Sequence, residues 1–94
     1  MLEIWRDPNG TVNLKGRMDA SQVTTAEGVL DAVEETCNVD FAELDYISSA
    51  GLKVLLATQQ RLWESGGEIC LTGMSAHVKM VFELAGFDSV FKIS

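Results

Sequence analysis

The stretch Asp45-Tyr46-Ile47-Ser48-Ser49-Ala50-Gly51-Leu52 decides how this chain is interpreted, because here an apolar strand region turns into an amphipathic helix. Serine is a favoured residue at the start of a helix, where its hydroxyl faces solvent. The first helical amides have no partner within the helix, and the helix dipole adds partial positive charge, so a phosphoryl group is tolerated there. The pattern indicates a switch site that accepts a phosphate. The alternative is a helix cap with a spare hydroxyl.

Downstream of this junction, apolar residues recur at helical spacing and predict a second helix. Gln59 is the one polar residue on its apolar stripe, and Gly66-Gly67 follow where a left-handed cap residue is expected. The next residues, 68–72, are typical of a buried strand. The stripe consists of Leu52, Leu55, Leu56, Leu62 and Trp63.

A third helix and a last strand complete the C-terminal part of the chain. Ser75 is placed to cap this helix and Gly86 to end it. Residues 89–93 predict the last strand. The predicted inner face of the helix consists of Val78, Val81, Phe82 and Ala85. We expect Met74, Met80 and Trp63 to be core or half-buried packing residues.

Upstream of the junction the chain opens with two alternating segments, residues 2–5 and 12–15. The turn Asp7-Pro8-Asn9-Gly10 between them suits a type I turn closed by a left-handed residue, so we expect an antiparallel hairpin. Trp5 lies opposite the buried phase of the first strand. It is therefore either exposed on the sheet, where it could contact a partner, or part of a second buried face.

A first helix and a short strand link this hairpin to the junction. Asp19 or Ser21 is placed to cap the helix. Residues 37–41 form the strand, and a loop is expected from there to the serines. The apolar stripe of the helix consists of Val23, Ala26, Leu30 and Val33.

The resulting order of elements is strand, strand, helix, strand, helix, strand, helix, strand. Each later strand follows a helix of crossover length, which gives a largely parallel sheet. The sequence therefore predicts an α/β fold: a mixed, mostly parallel sheet of about five strands with an N-terminal β-hairpin and three main helices. With 94 residues and 47% hydrophobic content, residues 1–94 are expected to form one domain.

Composition narrows the classes of function. The net charge of -7 argues against binding nucleic acid or an anionic membrane surface and favours a partner with a basic face. No apolar run reaches the length of a membrane span, so we expect no direct membrane binding. The N-terminus lacks the features of a secretory signal, which favours the cytoplasm. Cys37, Cys70 and His77 have no metal-site spacing, and we expect no metal.

The candidate site lies beyond the carboxyl ends of the strands, where loops of an open parallel sheet gather. If the second and third strands are neighbours in the sheet, the loops that leave them bring Asp19 and Ser49 to one rim. A hydrolase serine would need a histidine base, and the only histidine, His77, falls inside the predicted third helix. The glycine-rich phosphate loops of nucleotide-binding proteins are missing, so we expect no cofactor and no enzyme activity.

The chain resembles the STAS domains of bacterial anti-sigma factor antagonists over nearly its whole length. The resemblance is carried by residues 16–20, 39–41, 44–52, 66–68 and 78–87, that is, Gly-Arg-Met-Asp-Ala, Val-Asp-Phe, Leu-Asp-Tyr-Ile-Ser-Ser-Ala-Gly-Leu, Gly-Gly-Glu and Val-Lys-Met-Val-Phe-Glu-Leu-Ala-Gly-Phe. Many members read Asp-Ser-Ser-Gly-Leu, in which the first serine is phosphorylated. Aligning the Gly-Leu pairs places Ser49 on that serine, with Ser48 as the alternative. The rim would comprise Asp19, Asp40, Asp45, Ser48 and Gly51.

The resemblance implies a non-catalytic regulator of transcription in a partner-switching pathway. The unphosphorylated protein would bind an anti-sigma factor that is also its serine kinase, and phosphorylation would block that binding. A PP2C-type phosphatase would restore it. The alternatives are an accessory subunit of an ABC-type lipid transport system and a phospho-switch regulator of chemotaxis or secretion without a sigma factor. The oligomeric state stays open, with a weak homodimer as one alternative.

Overall fold

The computed structural model describes residues 1–94 and contains one five-stranded sheet in the order β1-β2-β3-β4-β5. The first two strands are antiparallel and all later neighbours are parallel, as predicted. The strands are β1 (Leu2–Arg6), β2 (Val12–Met18), β3 (Cys37–Ile47), β4 (Ile69–Thr72) and β5 (Lys92–Ile93). The helices are α1 (Val23–Leu30), α2 (Ser49–Glu64) and α3 (Ala76–Leu84).

The hairpin turn has the predicted form. The Gly10 amide donates to the Asp7 carbonyl at 2.9 Å, and Gly10 has a φ of 85°. The Asp7 carboxylate accepts the amides of Asn9 and Thr11 and the Asn13 side-chain amide at 2.9–3.1 Å. These contacts, the Asn13 amide first, lower the pKa of Asp7. The turn is therefore fixed by its own carboxylate as well as by glycine.

One core lies between one face of the sheet and the helices. Apolar side chains of β2, β3 and β4 are buried there. Phe82 of α3 makes edge-on ring contacts with Phe41 and Phe91, with 5.8 and 5.7 Å between the ring centres. Side chains of the opposite face are exposed or half-buried, so no helix covers it. Trp5 lies on this open face with 43% of its surface exposed, so it is exposed on the sheet and does not belong to a second buried face.

The third strand is longer than predicted. The strand expected over residues 37–41 continues to Ile47, and the expected loop before the serines is absent. Two register shifts against β2 each leave one extra residue in β3, the second at Asp45. Because of these bulges the buried residues Phe41, Leu44 and Ile47 are three apart, which hides the two-residue period of a strand.

The helices differ from prediction mainly at their ends. Asp19 caps a short 3₁₀ turn (Ala20–Gln22) rather than α1 itself, and α1 ends at Leu30. Val33 is buried in the following turn rather than in the helix. Ser75 caps α3 as predicted, and its hydroxyl accepts the Val78 amide at 3.2 Å. The last strand is only two residues long, shorter than the predicted residues 89–93.

Three predicted packing residues are exposed instead. Trp63 and Met80 have 50% and 48% of their surface exposed, and Ala85 is exposed as well, whereas Met74 is half-buried. The buried face of α2 includes Leu55, Gln59 and Leu62, which are three or four residues apart. Trp63 directly follows Leu62, so it is rotated away from that face and lies outside the core.

Gln59, the polar exception on the stripe, is fully buried and hydrogen-bonded. Its carbonyl oxygen accepts the Ile69 amide at 2.7 Å, and its side-chain amide donates to the Val90 carbonyl at 3.0 Å. One side chain thus ties α2 to the start of β4 and to the segment before β5. A buried polar group with both ends paired is compatible with an apolar core.

Candidate functional site

The two serines at the start of α2 have different structural roles. Ser48 is the N-cap, and its hydroxyl accepts the Gly51 amide at 3.3 Å. Ser49 is the first helical residue and is exposed, and none of the side-chain hydrogen bonds of the protein involves its hydroxyl. One serine therefore caps the helix and the other is a free hydroxyl in the first turn.

Main-chain contacts hold this helix start against the end of β2. The Ser48 amide donates to the Met18 carbonyl at 2.9 Å, and the Leu52 amide donates to the Ser48 carbonyl at 3.0 Å. The amides of Ser49 and Ala50 belong to the first turn and have no acceptor within the helix. They add open donors, and the positive end of the helix dipole, next to the free hydroxyl.

Gly51 allows this close approach. A Cβ atom at this position would lie 2.9 Å from Ile47 Cγ1 and 3.0 Å from both the Met18 carbonyl oxygen and Met18 Cγ. Only a residue without a side chain lets α2 pack this tightly on the ends of β2 and β3. The glycine of the Ser-Ser-Ala-Gly-Leu motif therefore sets the position from which Ser49 is presented.

Asp19 and Asp45 are positioned by the ends of β2 and β3, which lie side by side. Asp19 directly follows Met18, whose carbonyl binds the Ser48 amide. Its carboxylate accepts both the hydroxyl and the amide of Ser21. The Ser21 hydroxyl is the main cause of a lowered pKa at Asp19, so this group is an anion at neutral pH. Asp45 is exposed on the bulge three residues before Ser48.

Asp40 does not lie at this rim. It was expected just before a loop, but β3 continues for seven residues beyond it, on the order of 20 Å at about 3.3 Å per residue. Its carboxylate accepts the Ala42 amide at 2.8 Å and lies against Gly73. Asp40 therefore stabilises the first bulge. It also lines a shallow depression of about 190 Å³ on the open face, together with Trp5 and Glu43.

An aromatic contact beside the site was not anticipated. Arg17 and Tyr46 are register partners on β2 and β3, and the guanidinium carbon lies 4.3 Å from the centre of the tyrosine ring. The bulge at Asp45 brings Tyr46 opposite Arg17, so the pairing follows from a register shift that sequence patterning did not reveal. The pair places a cation and an aromatic ring on the open face below the serines.

The remaining titratable candidates lie away from the serines. His77 is an exposed residue of α3. Cys37 is buried, where burial raises the pKa of its thiol, and Cys70 is half-buried; both are free thiols. The prediction of apolar core cysteines is confirmed for Cys37. None of the three helices is long and apolar enough to cross a membrane.

The fold and site define a small α/β domain of the STAS type, with a free serine at the start of its second helix. Residues 3–93 match the family described as Mlab, STAS domain, and the chain therefore belongs to the STAS domain family. BtrV of Bordetella bronchiseptica, a candidate anti-sigma factor antagonist, is 36% identical over 85 residues. The match covers 86% of this chain and 73% of BtrV.

Solved structures share the fold at low sequence identity. An anti-sigma factor antagonist from Mycobacterium paratuberculosis superimposes with a TM-score of 0.81 at 20% identity, covering 99% of this chain and 83% of that one. The Bacillus cell fate determinant SpoIIAA in its phosphorylated form gives 0.69 at 20% identity, covering 100% and 91%. These structural matches confirm the predicted fold class, a single domain with a five-stranded mixed sheet and three helices.

Proposed function

We propose that this protein is an anti-sigma factor antagonist whose binding to its partner is controlled by phosphorylation of Ser49. The proposal is carried by the division of roles between the two serines: Ser48 caps α2, and Ser49 is left exposed and unpaired in the first turn. A kinase needs such an accessible hydroxyl. The 36% identity to BtrV and the fold shared with phosphorylated SpoIIAA support this assignment.

The electrostatics of the site favour a repulsive switch. A phosphoserine adds about -1.5 to -2 charge to a chain with a net charge of -7, at a helix start that follows Asp45 in the chain and contacts Met18, the residue before Asp19. The open amides of the first turn can solvate that charge within the protein. A partner surface packed against Ser49 would instead have to bury an unpaired dianion, which is costly. Phosphorylation should therefore prevent docking and leave the fold intact.

The proposed partners follow from this switch. The first is an anti-sigma factor that also acts as the serine kinase, and a PP2C-type phosphatase removes the phosphate. The protein itself is a non-enzymatic regulator in the cytoplasm. Binding of the unphosphorylated form releases the sigma factor from its inhibitor.

Phosphorylation mapping tests the modification. The protein is incubated with ATP and the anti-sigma-type kinase encoded in the same genome, and the modified residue is located by mass spectrometry. We expect phosphate on Ser49, none in Ser49→Ala, and continued phosphorylation of Ser48→Ala. Modification of Ser48 would assign the other hydroxyl. No phosphate on either serine, with no complex formed, would exclude the proposal.

Binding of charge variants tests the consequence. Ser49→Ala should bind the kinase as wild type does, and Ser49→Asp should lose binding. Ser48→Asp is the matched control because aspartate also caps helices and adds the same charge one residue away. Equal binding by Ser49→Ala and Ser49→Asp would contradict the switch and favour the accessory-subunit alternative. A switch that operates on a partner without a sigma factor would indicate a regulator of chemotaxis or secretion.

A further inference from the structure

Helix α3 has apolar residues on two faces. Val78 and Phe82 are fully buried in the core. On the outside, Met80 and Leu84 have 48% and 81% of their surface exposed, and Ala76 is exposed as well. These three outward residues are spaced four apart, so they form one continuous ridge, the α3 ridge, along the helix.

The α3 ridge concentrates apolar surface that is otherwise scattered. Five large hydrophobic side chains of the protein are exposed, at Met1, Trp5, Trp63, Met80 and Leu84. Two of these five belong to the nine-residue α3, one turn apart. Single exposed hydrophobic residues are ordinary, whereas an aligned set on one helix is typical of a surface that packs against another element.

We propose that the α3 ridge binds the α3 ridge of a second copy of this chain, forming a weak antiparallel dimer. Ridges of residues four apart on both helices produce the commonest helix packing, with axes crossing at about -50°. A two-fold axis at Met80 places the small Ala76 of one copy opposite the large Leu84 of the other. The ridge is thus complementary in size to itself, as an isologous interface requires.

The charges beside the ridge also match a second copy. Lys79 and Glu83 lie on the same flank of α3, and the two-fold axis brings Lys79 of one copy beside Glu83 of the other. Most of this acidic chain would repel another copy, because its net charge is -7. The two charged residues that flank the ridge cancel, so the ridge is a place where two copies can approach.

The size of the ridge sets the expected affinity. Standard stable interfaces bury about 800 Å² on each partner, and one exposed stripe on a nine-residue helix offers less. The dimer should therefore form in the high-micromolar to millimolar range and exchange rapidly. The ridge is built from α3, whereas the proposed switch is built from the start of α2, so association is measured independently of phosphorylation.

Sedimentation equilibrium of the full chain, from micromolar to millimolar concentration, tests this dimer. Wild type should associate reversibly, and Met80→Glu and Leu84→Glu should each weaken association at least about tenfold. Trp63→Ser is the matched control, because it removes an exposed apolar side chain outside α3 and should leave association unchanged. All these positions are exposed, and circular dichroism verifies that each variant is folded.

A charge exchange tests the antiparallel geometry. Lys79→Glu should weaken the dimer by placing like charges together, and the double variant Lys79→Glu/Glu83→Lys should restore it. A wild-type chain that stays monomeric at millimolar concentration would overturn the proposal and leave the α3 ridge for a different protein. Association that Met80→Glu and Leu84→Glu leave unchanged, or a double variant as weak as Lys79→Glu, would overturn it equally.

Discussion

Replacing Gly51 with alanine sets two opposing effects against each other at the start of α2. Helix propensity alone favours alanine over glycine by about 1 kcal/mol. Against this, the added Cβ would lie 2.9 Å from Ile47 Cγ1 and 3.0 Å from the Met18 carbonyl oxygen. One of these atoms is backbone and the other belongs to a buried side chain, so neither can move freely. Overpacking of this kind typically costs about 1–3 kcal/mol.

We therefore expect Gly51→Ala to lower the free energy of unfolding by about 1 kcal/mol, because a mid-range overpacking cost of about 2 kcal/mol exceeds the propensity gain of about 1 kcal/mol. In a domain of this size that corresponds to a fall in Tm of roughly 4–8 °C.

Gly28→Ala is the matched control. It lies within α1, and an added Cβ would meet no atom within 4 Å. Without an opposing clash, it should raise stability by about 0.5–1 kcal/mol. Both variants are measured by urea denaturation and thermal melting. If Gly51→Ala were as stable as wild type while Gly28→Ala gained stability, the close approach of α2 to β2 would not be what requires glycine.

Three further changes test the contacts that hold the elements together. Gln59→Leu leaves the buried Ile69 amide without an acceptor and should destabilise by about 1–3 kcal/mol in urea denaturation, whereas Leu at the exposed neighbour Gln60 should have little effect. Arg61 donates to the Val33 carbonyl in the turn after α1 at 2.8 Å and to the carbonyl of Leu30, the last residue of α1, at 2.9 Å. Arg61→Ala should therefore lower stability by about 1–2 kcal/mol, and an unchanged denaturation midpoint would show that water replaces these hydrogen bonds. The pKa of Asp7 is lowered in the folded protein, so its carboxylate contributes to the stability of the fold above the ordinary pKa of 3.8. That contribution is lost as the pH falls through the lower pKa of the folded state. Asp7→Asn should therefore flatten the decline in stability between neutral and strongly acidic pH, and an equal decline in both proteins would contradict that role.

The fold was predictable wherever the hydrophobic period was unbroken. Strands β1, β2 and β4 and the three helices follow periods of two or of three to four, and Gly10 and Gly86 occur where positive φ angles are needed. The long third strand was missed because its two bulges shift the alternation. The spacing of three residues between Phe41, Leu44 and Ile47 does not indicate a strand by itself, because a bulge is defined only by the register of the neighbouring strand.

Part of the candidate site was also predictable from the hydrophobic periodicity of the sequence. The spacing of Ser48 and Ser49 before an amphipathic helix located the helix start, and the contacts of Asp19 and Gly51 follow from β2 and β3 ending side by side. The predicted position of Asp40 was wrong because the sequence pattern ended the third strand at residue 41, whereas β3 continues to Ile47. Which serine caps the helix is decided by one backbone conformation, the extended Ser48, which the sequence alone does not specify.

The location of Ser49 on a rigid helix start leads to a last prediction about how a phosphate would act. The residue makes no side-chain hydrogen bond, so replacing it with aspartate removes no hydrogen bond. An anion in the first helical turn is favoured by the dipole by about 0.3–1 kcal/mol, and repulsion from Asp19 and Asp45 opposes that gain. Ser49→Asp should therefore change the free energy of unfolding by no more than about 0.5 kcal/mol.

Ser48→Ala provides the contrast, because it removes the cap and should cost about 1 kcal/mol. Urea denaturation and a binding assay are carried out on both variants. Together they distinguish two ways in which a negative charge could abolish binding. A stable Ser49→Asp that does not bind means that the charge acts on the docked partner surface. A Ser49→Asp as destabilised as Ser48→Ala, or more so, would mean that the charge acts by loosening α2 from the end of β2, and local repulsion would no longer be needed to explain the switch.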